Sequence, residues 1–79
     1  MNIVDIFGLY QVFYENELGL QAVTEWGMDD DAEMFSLNVG PDIDLEVALN
    51  QEVEVFEDGR FVLHLHGRPW GFIAFKPAW

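Results

Sequence analysis

The chain has 79 residues, of which 51% are hydrophobic and 15% aromatic, and a formal net charge of -12. That length predicts one small domain spanning 1–79, and the apolar content excludes disorder, which needs low hydrophobicity as well as high charge. All 15 acids lie in residues 1–59 and all three Lys and Arg residues lie beyond them, so nucleic acid and anionic membrane are excluded as direct partners.

There is no cysteine, which removes disulfides and thiolate chemistry. The opening "MNIVDIFGLY" has no positive segment before its apolar residues and does not read as a secretory signal. No apolar run reaches membrane-spanning length. The expected location is cytoplasmic.

Residues 2–17 carry two patterns. Ile3, Ile6, Phe7, Tyr10, Phe13 and Tyr14 fit helical spacing, with Gly19 as a stop. Gly8 weakens a helix interior and the Phe, Tyr and Val content favours strands, so a hairpin turning near "NELG" is the alternative. The helix is the preferred expectation. "LQAVTEW" reads as a strand and "GMDDDAE" as a loop. "EMFSLNV" alternates weakly and stops at the turn signal "GPD".

From Ile43 onward the pattern sharpens. Ile43, Leu45, Val47, Leu49, Val53 and Val55 share one parity, and Asp44, Glu46, Glu52 and Glu54 share the other. Pro41 suits a helix start, yet the period of two is cleaner and predicts strand. Around "FEDGRF" a three-residue loop, Glu57-Asp58-Gly59, keeps apolar residues on one face. It sets Val55 against Phe61, Val53 against Leu63 and Glu52 against His64, with Gly59 in a left-handed position. "GRPW" closes that strand and "WGFIAF" forms a last one. "RPWGFIAF" is expected at a sheet edge, because Pro69 donates no ladder hydrogen bond. Such an edge invites a homodimer. An ordered Trp79 would imply docking on the sheet or on a second subunit. The predicted fold is α+β, one N-terminal helix packed on an antiparallel sheet of about four to five strands, with an all-β domain as the alternative.

Alternate strand residues stand roughly 6.7 Å apart, where two unit charges in water repel by about 0.6 kcal/mol. Each buried aliphatic residue of the comb contributes about 1.5–3 kcal/mol. The fold carries such an acidic row easily, but stability does not require it. A DNA strand also presents a regular row of negative charge, which its binding proteins hold with Lys and Arg. Asp44, Glu46, Glu52 and Glu54 therefore form a candidate partner-binding row, extended by Asp29, Asp30, Asp31, Glu33, Glu57 and Asp58 at the loop ends. In size and charge the chain resembles small phage-type inhibitors, including anti-CRISPR proteins and inhibitors of DNA repair or restriction enzymes. The resemblance implies inhibitory binding to a basic nucleic-acid-binding protein and carries no individual residue over. An immunity protein or antitoxin against a basic nuclease is one alternative. A solvated acidic structural or oligomerisation domain is the other.

Other chemistry has weaker support. His64 and His66 are two apart, a spacing found in metal sites, yet that register makes them plain neighbours of Glu52 and Asn50. "DDDAE" lacks the ligand spacing and central Gly of a calcium loop and fits an acidic loop, or a short helix with Asp30 and Glu33 as a capping box. Ser36 and Thr24 sit in no nucleophile motif, and there is no phosphate-binding glycine loop. Neither an enzyme nor a cofactor is expected.

Overall fold

The computed structural model describes residues 1–40 and 42–75. In chain order these form helix α1 (Ile3–Leu9) and strands β1 (Gln11–Asn16), β2 (Gly19–Ala22), β3 (Trp26–Asp29), β4 (Met34–Asn38), β5 (Asp44–Ala48), β6 (Arg60–Leu65) and β7 (Arg68–Phe75). The fold is α+β with antiparallel pairing throughout. The strands divide into a four-stranded sheet, ordered β2-β1-β7-β6, and a three-stranded sheet, ordered β3-β4-β5.

The N-terminal segment contains both elements that its pattern allows. Asn2 caps α1, its side chain accepting from the Val4 N–H at 2.9 Å. The helix ends at Leu9 rather than running through Tyr14. Ile3, Ile6 and Phe7 are buried from the helix, whereas Val12 and Tyr14 are buried from β1. The residues "FYENELGL" then turn back as the β1–β2 hairpin. Helical spacing at Phe13 and Tyr14 is outweighed by two ladders, one to β2 and one to β7.

Of the apolar comb, Leu45, Val47 and Val53 are buried and Leu49 and Val55 partly so, but Ile43, ahead of β5, is exposed, and the strand does not continue. β5 stops at Ala48, and Gln51 N–H donates back to the Ala48 carbonyl at 3.0 Å. The next segment pairs with the chain start: Ile3 N–H donates to the Gln51 carbonyl at 2.9 Å, and Val53 N–H to the Met1 carbonyl at 2.7 Å. The expected pairing of Val53 with Leu63 and Glu52 with His64 is therefore replaced. Glu52 bridges Asn2, and His64 faces Pro69 in the β6–β7 ladder. Only the tip of the expected hairpin is present. Phe56 N–H donates to the Arg60 carbonyl at 2.8 Å across Glu57-Asp58-Gly59, and Gly59 has φ +88°.

The strand expected at an edge lies inside its sheet, because β7 sits between β1 and β6. Ala74 N–H donates toward β6, to the Gly59 carbonyl at 2.8 Å. Even-numbered β7 residues thus bond β6, and odd-numbered ones bond β1. Pro69 falls on the β1 side, where the ladder already ends at Glu15 opposite Gly71, so its missing N–H costs no bond. The β6–β7 turn is His66-Gly67, both at positive φ, as a two-residue hairpin requires. The expectation for Trp79 lies outside the described residues.

One core joins the two sheets. Phe35, Leu37, Leu45 and Val47 come from the three-stranded sheet, and Phe61, Leu63, Trp70 and Phe72 from the four-stranded one. The helix adds Ile3, Ile6 and Phe7, whose ring lies 5.1 Å from Phe35 and 5.9 Å from Trp26. Nothing charged is buried among the described residues. Every acid is consequently on the surface, and the strands decide where.

Candidate functional site

The inner face of the three-stranded sheet is spent on Phe35, Leu37, Leu45 and Val47, so the outer face receives the alternate positions. Across that face Gly27 pairs with Ser36 and Ser36 with Glu46. One row along, Asn38 pairs with Asp44, and the Asn38 Nδ2 donates to the Asp44 Oδ1 at 3.1 Å. Glu25 joins them through its carbonyl, which accepts from Asn38 N–H at 2.9 Å. Gly27 and Ser36 are small, and their neighbours are long. The result is a depression of about 400 Å³ with Gly27 and Ser36 on its floor and Glu25, Asn38, Asp44 and Glu46 around it. Its mouth is open, and its ionisable groups are all carboxylates.

The sequence between Glu25 and Glu46 holds eight acids and no Lys or Arg. Asp29 ends β3, and Asp30, Asp31 and Glu33 occupy the β3–β4 connection. This connection is a turn, not a capped helix. Asp29 closes it by accepting the Ala32 N–H at 3.2 Å, and Glu33 leaves it at φ +54°. Among the described residues no cation stands within 4.0 Å of Asp44 or Glu46. Among those residues an incoming cation meets no competitor there.

The other half of the expected acidic row is elsewhere. Glu52 lies on the segment beside the chain start, 3.6 Å from the Met1 amine, and Glu54 follows it as an exposed residue. Asp58 is held by Arg60, its Oδ1 accepting the backbone N–H at 3.0 Å and its Oδ2 standing 3.5 Å from Nε. Glu57 is exposed in the same turn. The turn at 48–51 thus splits the row, leaving Asp44 and Glu46 on the three-stranded sheet with the β3–β4 acids on its connection. Sequence reasoning missed Glu25, Gly27, Ser36 and Asn38. The available signal was a pair of small residues, one in each of two neighbouring strands, but it gains meaning only once those strands are paired.

The two histidines do not share a strand. His64 is an exposed β6 residue and His66 belongs to the turn. Among the described residues no group of three or more His, Asp or Glu side chains is gathered as a metal site. Nor does any helix of those residues have the length and apolarity to cross a membrane.

No protein-family model, curated protein or solved structure matches the chain.

Proposed function

We propose that this chain is a binding protein whose acidic sheet face occupies the basic groove of a nucleic-acid-binding protein and thereby inhibits it. The observation that carries the reading is the Glu25–Asp44–Glu46 rim around the Gly27–Ser36 floor, within a stretch that contains no cation of its own. A long Lys or Arg side chain can lie across the small floor and place its head among the carboxylates, with the Asn38 and Ser36 side chains as polar neighbours. An arginine suits this arrangement best, since its planar fork meets carboxylates two bonds at a time. The acids of the β3–β4 turn extend the negative field beyond the depression and raise the rate of encounter with a basic partner. A protein surface that normally grips phosphates is thereby offered carboxylates instead. The chain acts without a cofactor and catalyses nothing in this reading. A homodimer is compatible with it, because the four-stranded sheet has strand edges of its own, β2 and β6, apart from this face.

The test is capture of partners from a host lysate on tagged protein, followed by elution with duplex DNA and then with salt. Displacement of one nucleic-acid-binding protein by DNA is the expected result. A partner that resists DNA and leaves only in salt overturns nucleic-acid mimicry, and the absence of any specific partner overturns the binding function.

A further inference from the structure

We infer that the outer edge of β3 receives an extended segment of the basic partner as an added strand, which sends an arginine or lysine over Gly27 into the acidic depression. The inference rests on the reading of that face given above. Gly27 is the observation that carries it. Its φ lies outside the left-handed region, and a Cβ built on it would meet nothing within 4 Å. Neither backbone geometry nor internal crowding therefore asks for glycine at this position, where it weakens a strand. A glycine without an internal reason leaves room for something that approaches from outside. It lies on an outermost strand of the three-stranded sheet, with Ser36 beside it on β4, so the floor of the depression runs out to the sheet edge without a wall.

The edge offers its backbone for pairing. The Asn38 N–H donates to the Glu25 carbonyl at 2.9 Å, so the odd-numbered residues of β3 bond β4. The backbone groups of Trp26 and Met28 point the other way, and among the described residues they have no hydrogen-bond partner. Their side chains share a face with Leu37 and Phe35 but stay 42% and 54% exposed. An antiparallel segment bonded to Trp26 and Met28 sets one residue opposite each on that apolar face. Its alternate residues fall opposite Glu25, Gly27 and Asp29 on the acidic face. The complement is therefore a segment in which basic and apolar residues alternate, Arg-Val-Arg-Val-Arg in its simplest form. A second copy of this chain does not supply it. The register that bonds Trp26 to Met28 of another copy sets Glu25 opposite Asp29 at both ends, between chains that each carry a net charge of -12.

The test titrates the full chain with that peptide, blocked at both ends, and with its isomer Arg-Arg-Arg-Val-Val, while amide resonances are followed by NMR. The alternating peptide should shift the Trp26 and Met28 amide signals and slow their hydrogen exchange. The isomer, equal in charge, should bind about tenfold more weakly, the scale of one or two hydrogen bonds. Gly27→Val closes the path of the central arginine and should weaken the alternating peptide by about tenfold, while raising the midpoint of thermal unfolding. Met28→Pro removes an N–H that β4 does not use and should weaken it similarly. Met28→Val keeps that N–H and should lose far less. Undiminished binding by Gly27→Val and Met28→Pro overturns the inference, as does an alternating peptide that leaves both amides unmoved. Equal binding of the two peptides, both lost in the Asp44→Asn, Glu46→Gln double variant, overturns strand addition and leaves the acidic-face reading standing.

Discussion

Gly59 and Ala74 are joined by one hydrogen bond and pressed close at a second point. The Ala74 N–H donates to the Gly59 carbonyl at 2.8 Å, and the Gly59 Cα faces the Ala74 carbonyl oxygen so closely that a Cβ there would collide with it. Gly59 also has φ +88°, a conformation that side chains disfavour. The three-residue turn therefore seats itself on β7 only because position 59 has no side chain. Gly59→Ala should cost about 2 kcal/mol or more, from left-handed backbone plus displacement of β7. Gly8→Ala is the control. Gly8 is exposed within α1, and a Cβ added there would meet nothing within 4 Å, so alanine should add about 0.5–1 kcal/mol. Urea unfolding of the two variants should move the midpoint in opposite directions.

Asn2 holds the helix and the comb segment together. Its oxygen accepts the Val4 N–H at 2.9 Å, and its Nδ2 donates to the Leu49 carbonyl at 3.0 Å. Asn2→Ala removes both bonds and should cost about 1–2 kcal/mol. Asn2→Ser retains a capping oxygen but cannot reproduce the reach to Leu49, so its loss should be smaller. Thermal denaturation should rank wild type above the serine variant and the serine variant above alanine. Equal losses for the two would show that the Leu49 bond, not the cap, carries the effect.

Parity was legible in this chain, and partnership was not. Leu45, Val47 and Val53 point inward as their alternation requires, since face is a property of one strand. Which strand lies alongside is a property of two, and the comb after Ala48 bonds Met1 and Ile3 instead of Leu63. The same gap explains β7. A proline argues against an interior strand, but Pro69 falls just past the end of one ladder and on the unbonded phase of the other. At the chain start, Ile3, Ile6 and Phe7 belong to a helix while Phe13 and Tyr14 satisfy helical spacing by coincidence, and only their ladders to β2 and β7 distinguish the two. The acids of the candidate site were visible as residue types. Its floor was not, because Gly27 and Ser36 acquire a role only when β3, β4 and β5 are laid side by side.

The core tolerates little loss. Phe61 is fully buried, and its ring stacks on Phe72 with centroids 5.2 Å apart and planes 13° from parallel. Phe61→Ala should cost about 3–5 kcal/mol, by lost transfer energy and the cavity left behind. Native domains are stable by only about 5–15 kcal/mol, and small ones lie toward the low end. The alanine variant should therefore be largely unfolded at 37 °C by circular dichroism. Phe61→Leu keeps most of the volume and should remain folded, with a loss of about 1 kcal/mol.

The acidic depression can be tested without removing an acid. Ser36 pairs directly with Glu46 on the outer face and is flanked on its other side by Gly27, which has no side chain to obstruct it. Ser36→Lys should send an ammonium across the floor toward Glu46 and Asp44, supplying from within the cation that the proposed partner supplies from outside. Position 36 is exposed, so the fold should be kept. Partner binding should weaken by about tenfold or more, with a shallower dependence on salt, since one favourable contact becomes a like-charge clash. The pair Asp44→Asn and Glu46→Gln should weaken binding in the same direction. Glu52→Gln with Glu54→Gln should weaken it much less, because those two acids lie beyond the turn at 48–51, on the segment beside Met1 and Asn2. Equal losses from the two pairs would mean that overall charge rather than this face is recognised, and a Ser36→Lys protein that binds as wild type would remove the depression from the interface.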